Sequence, residues 1–155
     1  VQLAQHAQLR FRLHAGRDHA GPDLLRQRNQ RLQHAAADRI ALDVPRQAEG
    51  VAWFDFDELC GRPLGAADYL AIATHFNTVL IDCVPPLSPD QRDLARRFVT
   101  LIDALYEHRV NVVIAAAAPP ERLYPSGDGS FDFGRTISRL SEMQSVDYLT
   151  GPHLT

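Results

Sequence analysis

Residues 78–117 constrain the fold most. Thr78-Val79-Leu80-Ile81 is a short apolar run of strand length. Ser88 then stands as a helix N-cap, Pro89 takes the first helical position, and Gln91 completes a capping box. Leu94, Phe98, Leu101, Ile102 and Leu105 recur at helical period and make one apolar face. His108 and Arg109 fall in or just after the last turn, where cations suit the helix dipole. Val110 to Ala118 is apolar except for Asn111, as in a strand of a parallel sheet covered on both faces. Strand, helix, strand in this order is a βαβ unit with a right-handed crossover. The fold class expected is therefore α/β.

The flanking residues extend this unit. Ile40, Leu42 and Val44 alternate with Ala41 and Asp43, which reads as a strand. Val51 to Phe56 is a second strand, rich in aromatics. Gly61, Pro63 and Gly65 punctuate a loop, and Ala66 to Phe76 reads as a short helix. After Pro119 and Pro120 comes a loop with Pro125, Gly127 and Gly129, then a final helix from about Asp132 to Leu149. The tail 151–155 is expected to fray.

Residues 1–36 have a different texture. The first 34 hold six Gln, six Arg and four His, with few branched apolar residues. Such a stretch buries little surface and is a weak folding unit. Leu24, Leu25 and Leu32 offer only a thin helical stripe over 23–36. The segment is set apart as poorly defined: a solvated or disordered arm, or an out-of-frame reading of a GC-rich gene, which would yield the same residues. Charge divides the chain in the same way. Residues 1–50 carry eight arginines against five acids, and residues 51–155 carry eight against fourteen. The chain opens on Val1 and its one methionine is Met143, which reads as a piece of a longer protein.

The chemistry is bounded by an absence. All 16 Lys+Arg residues are arginine. No Schiff-base lysine, Ser-Lys dyad or phosphate-loop lysine can exist in this chain. A net charge of −3 gives no nucleic-acid footprint, and no apolar run has the length of a membrane span. Cys60 and Cys83 form no CxxC and fit two small buried thiols in a reducing, cytoplasmic setting. The histidines show no metal-ligand spacing, and no metal site is assigned. Asp57-Glu58 follows Trp53-Phe54-Asp55-Phe56 in imitation of a Walker B pair, but Asp55 interrupts the apolar run that pair requires. Asp82 after Val79-Leu80-Ile81 is a second imitation, with Cys83 where an acid would stand. Both read as edge or cap carboxylates. Gly127-Asp128-Gly129 reads as a turn. Arg135 and Arg139 lie four apart on one helical face, and Arg96 and Arg97 sit beside Phe98. Paired arginines grip phosphate bidentately. The competing reading is an exposed salt-bridge face, with Glu142 one turn from Arg139.

The motifs together resemble a known family. Trp53-Phe54-Asp55-Phe56-Asp57-Glu58-Leu59-Cys60, Gly65-Ala66-Ala67-Asp68-Tyr69-Leu70, Ala95-Arg96-Arg97-Phe98, Leu101-Ile102-Asp103-Ala104-Leu105-Tyr106 and the run from Arg135 to Ser145 occur in the order found in ZapE-like, Afg-type P-loop ATPases. The resemblance covers about residues 37–150 and matches the C-terminal portion of such an enzyme. It implies a partial P-loop-ATPase-type α/β fold with a βαβ unit and a C-terminal helix. It implies a parent that uses ATP and Mg²⁺ and is linked to bacterial cell division. This chain, without Walker A and Walker B, is expected to bind no cofactor alone and to be inactive alone. Arg135 and Arg139, then Arg96 and Arg97, are the nucleotide-sensing candidates by motif position. The implied partners are the ATPase core, the FtsZ division machinery and further copies of the chain. The reading from a different class is a stand-alone α/β protein-binding module without nucleotide.

Overall fold

The computed structural model describes Val44 and residues 46–155. Residues 40–43 of the first expected strand, and the thin helical stripe over 23–36, lie outside the described residues. A four-stranded sheet organises the rest, in the order β1 (Arg46–Ala48), β2 (Val51–Asp55), β3 (Thr78–Val84), β4 (Asn111–Ala116). β1 and β2 form an antiparallel hairpin turned through Glu49 and Gly50, both at positive φ. β2, β3 and β4 run parallel.

Parallel neighbours need crossovers, and two helices supply them. α1 (Ala66–His75) links β2 to β3, and α2 (Arg92–Glu107) links β3 to β4. The fold thus holds two βαβ units where the sequence pattern shows one clearly. A five-residue π-helical turn (Asp57–Gly61) leads from β2 toward α1. The β2–β3–β4 strands are neighbours in chain order, so both crossover helices fall on one face of the sheet. α1 packs against α2, and α2 against α3 (Ser130–Glu142).

Among the described residues, the helices therefore cover the sheet on one side. Ala52, Phe54, Val79, Ile81, Val112 and Ile114 point under the helices and are buried. Phe98, Leu101, Ile102 and Leu105 of α2 meet them, on the face the periodicity marks. Phe98 stands between Phe56 and Phe133, with ring centroids 5.8 and 6.1 Å away. Full burial of side chains this size contributes about 1.5–3 kcal/mol each.

Three elements differ from expectation. The helix after Ser88 starts at Arg92, not Pro89. The capping-box reach-back exists, since Gln91 Oε1 accepts the Ser88 amide at 2.9 Å, but it closes a turn before the helix. The final helix is two: α3 ends at Glu142, and α4 (Val146–Leu149) restarts after Ser145, whose hydroxyl accepts the Tyr148 amide. That hydroxyl stabilises a new N-terminus and so favours the break. The cysteines also differ: Cys60 is buried, but Cys83 is exposed. Cys83 sits in a bulge between the Ile81 and Val84 registers, at φ 57°. The extra residue reverses the side-chain phase, turning Cys83 out and Val84 in.

Candidate functional site

The four candidate arginines divide into two places. Arg135 and Arg139 project from α3 onto the last turns of α2. Arg135 Nη2 lies 2.7 Å from Asp103 Oδ2, and Arg139 Nη1 pairs with Asp103 Oδ1. Arg139 Nη2 also reaches Glu107 at 3.5 Å. The Arg139 guanidinium lies over the Tyr106 ring, 4.8 Å from its centroid. Tyr106 in turn donates to Glu142 at 2.8 Å, a bond that raises the phenol's pKa. Glu142 therefore serves the tyrosine, and the arginines' carboxylates come from α2. The spacing Asp103, Glu107 carried that signal, because i and i+4 acids share a helix face. Only the packing of α3 on α2 shows which arginines they meet.

Arg96 and Arg97 sit early in α2, nearer the C-terminal ends of the strands. Arg97 Nη1 donates to the Cys60 carbonyl at 2.9 Å and ties the π-helical turn to α2. Among the described residues, Arg96 is exposed and its guanidinium makes no hydrogen bond or ion pair. The structure thus brings Arg135 and Arg139 together on one acid, commits Arg97 to a carbonyl and leaves Arg96 in solvent.

The C-terminal ends of parallel strands are where α/β sheets place ligands. Here β2 ends in Asp55, whose direct register partner is Asp82, two residues before the end of β3. Ligand atoms of Asp55, Asp82 and Cys83 lie within 4.8 Å of one another. The sequence shows Asp55, Asp82 and Cys83 only as interrupted Walker B imitations, because the bulge that gathers them has no hydropathy signature. Asp82 Oδ1 accepts the Cys83 amide at 2.8 Å. Desolvation and the two carboxylates push the Cys83 thiol up, which disfavours the thiolate a soft metal needs. Glu58 Oε2 accepts the Asp55 amide at 2.7 Å, so it is a cap carboxylate as its pattern suggests.

The described residues do not form a triphosphate cradle. The chain holds no lysine. The Gly127-Asp128-Gly129 turn is closed by the Tyr124 hydroxyl, which donates to the Asp128 carbonyl at 2.9 Å. The Asp128 carboxylate faces Arg92 at 3.1 Å and would repel phosphate.

A family model described as AFG1-like ATPase matches residues 8–152. The chain belongs to the AFG1-like ATPase family. The match starts at residue 8 and takes in most of the segment 1–36 that composition sets apart. An uncharacterized protein of Schizosaccharomyces pombe is 31% identical over 137 positions, covering 70% of this chain and 30% of its own length. Lactation elevated protein 1 homolog B of Danio rerio is 39% identical, covering 68% of this chain and 27% of its own length. Cell division protein ZapE of Escherichia coli is 38% identical over 99 positions, covering 64% of this chain and 26% of its own. The chain thus spans 26–30% of the length of these relatives. No solved structure matches it. No helix among the described residues is long and apolar enough to cross a membrane.

Proposed function

We propose that this AFG1-like chain is the coupling portion, C-terminal in its parent, of an ATPase whose nucleotide and Mg²⁺ are held by other parts of the protein. One observation supports the reading: among the described residues, no helix covers the second face of the parallel sheet. Trp53, Leu80 and Val113 stand side by side in register across β2, β3 and β4. Val113 is 45% exposed, and Trp53 and Leu80 are half-buried. Sheets of parallel strands are almost always covered on both faces. A core domain of the parent fits that role, since the curated relatives are three to four times this chain's span.

In this reading the arginines sense the nucleotide by exchange. Asp103 holds Arg135 and Arg139 when no phosphate is offered, and a phosphate competes for Arg135, whose side chain is 57% exposed. Arg96 is free to approach an anion directly. The switch element is the α2–α3 contact. The proposed setting of the parent is the cytoplasm, with the FtsZ division machinery as partner; kinship with a protein named for cell division supports this reading.

The test uses the full-length parent. Arg96→Ala and Arg135→Ala are expected to lower the ATP hydrolysis rate by about tenfold or more, with the melting temperature nearly unchanged. Rate and ATP affinity unchanged in both, and in Arg139→Ala, would remove the sensing role and leave an interhelical salt bridge.

A further inference from the structure

The two edges of the sheet are built differently. β1 is three residues long, ends in a tight turn and carries Arg46 beside Trp53, 4.4 Å over its ring. Short, charged edges resist pairing with foreign strands. β4 has none of these devices. It reads Asn-Val-Val-Ile-Ala-Ala, without charge, proline or bulge of its own.

The hydrogen bonds show which groups this edge presents. The amides of Asn111 and Ala117 donate to the Asn77 and Val84 carbonyls at 2.9 Å. Residues of that parity face β3. By the strand's period of two, the N–H and C=O groups of Val112, Ile114 and Ala116 face outward. No bond from them to any residue is present among the described residues. A strand edge that presents a row of unpaired N–H and C=O groups is a ready template for pairing with another strand. The edge also borders the bare face, because Val113 ends the apolar row that runs from Trp53 through Leu80.

Resting on the coupling reading above, we propose that β4 is a joint: an extended segment of the parent ATPase, from outside this chain, adds to its open edge as a fifth strand. The occupant is sought in the same polypeptide because about 70% of the length of the matched relatives lies outside the span of this chain. The joint would make the sheet continuous with the ATPase core, so that movement of the core is transmitted to α2 through β4 and the loop that precedes it. The chemistry required of the occupant is simple. It is an apolar strand, because Val113 at the edge and Leu80 beside it carry no charge to complement.

Residue-resolved amide exchange distinguishes the partners. In this chain alone, Val113 and Ala115 amides are expected to exchange slowly and Val112, Ile114 and Ala116 amides quickly. In the full-length parent the second set is expected to slow by about tenfold or more, with or without nucleotide. Val113→Lys, placed on the exposed rim, is expected to restore fast exchange in the parent while leaving the chain alone unchanged. Fast exchange of the second set in both proteins overturns the proposal. Slow exchange in the chain alone also overturns it. Dependence on concentration would then identify a second copy as the occupant, and independence would identify the chain's own residues. Failure of the arginine variants to alter ATP hydrolysis would bear on the sensing reading alone, since strand protection is read without ATP.

Discussion

The two faces of one sheet behave as different proteins. On the covered face, Phe54 is 1% exposed beneath the helices. On the bare face, its neighbour Trp53 stands half-exposed with an arginine over its ring. Residue type explains part of the difference, since the apolar Trp53–Leu80–Val113 row is flanked by Thr78 and Asn111 on one side and by Asp55 and Asp82 on the other. The rest follows from strand order. Sequential parallel strands send their crossovers to the same side, so α1 and α2 cover one face and cannot cover the other. An apolar side chain on the first face is part of this chain's own core, whereas one on the second is the surface that the proposed reading assigns to a partner.

The comparison is broken most easily by truncation. Phe54→Ala should destabilise the chain by about 3–5 kcal/mol in urea denaturation, because it opens a cavity in a close-packed layer. If that cost matched the cost of Val113→Ala, the two faces would be equivalent and the distinction lost. Behind the covered face, Asp103→Ala leaves Arg139, whose side chain is only 19% exposed, with Glu107 at 3.5 Å as its remaining acid. A loss of about 2 kcal/mol is expected, below that of a fully buried pair because the rim is open to water.

Alkaline titration probes the same core. Burial, partly countered by Arg97, pushes the Cys60 thiol up to about 12 from 9.0. The folded chain keeps this proton where the unfolded chain releases it. Its stabilisation is therefore complete below pH 9 and is lost as pH rises toward 12, at about 1.4 kcal/mol per unit. Tyr69 and Tyr148, raised chiefly by burial, add to the loss above pH 10. Cys60→Ala should flatten the curve between pH 9 and 10, and an unchanged slope there would show that the thiol is not buried as described.

Thr136 is the one polar residue in the buried set, and its hydroxyl lacks a partner among the described residues. Thr136→Val is expected to stabilise by about 1 kcal/mol, since an unsatisfied buried hydroxyl is exchanged for a methyl group. The smallest effect belongs to the bare face. Val113→Lys should alter the stability of the chain alone by about 0.5 kcal/mol or less, as for other surface substitutions. A larger loss would mean that this face is already packed.

Much of this architecture is legible along the chain. The helical period from Leu94 to Leu105 marks the face of α2 that the structure buries. The apolar run after Arg109 marks β4, and Val51 to Phe56 marks β2, because hydrophobic period is a local property of the sequence. The candidate site was legible only as residue types. Arg135 and Arg139 are visibly on one face, but their shared acid is 32 and 36 residues away on another helix. The Asp55–Asp82–Cys83 group depends on a bulge and on strand register, which no local window contains.

What the sequence determined by itself is therefore the class, α/β, the family, and which side of α2 turns inward. Periodicity and motif order are one-dimensional and survive without coordinates. What only the tertiary structure decided is that both crossovers lie on one face, that β4 is an open edge among the described residues and that Asp103 holds two arginines at once. Each is a relation between segments far apart in the chain, set by strand order and helix packing, and so has no signature in any one of them.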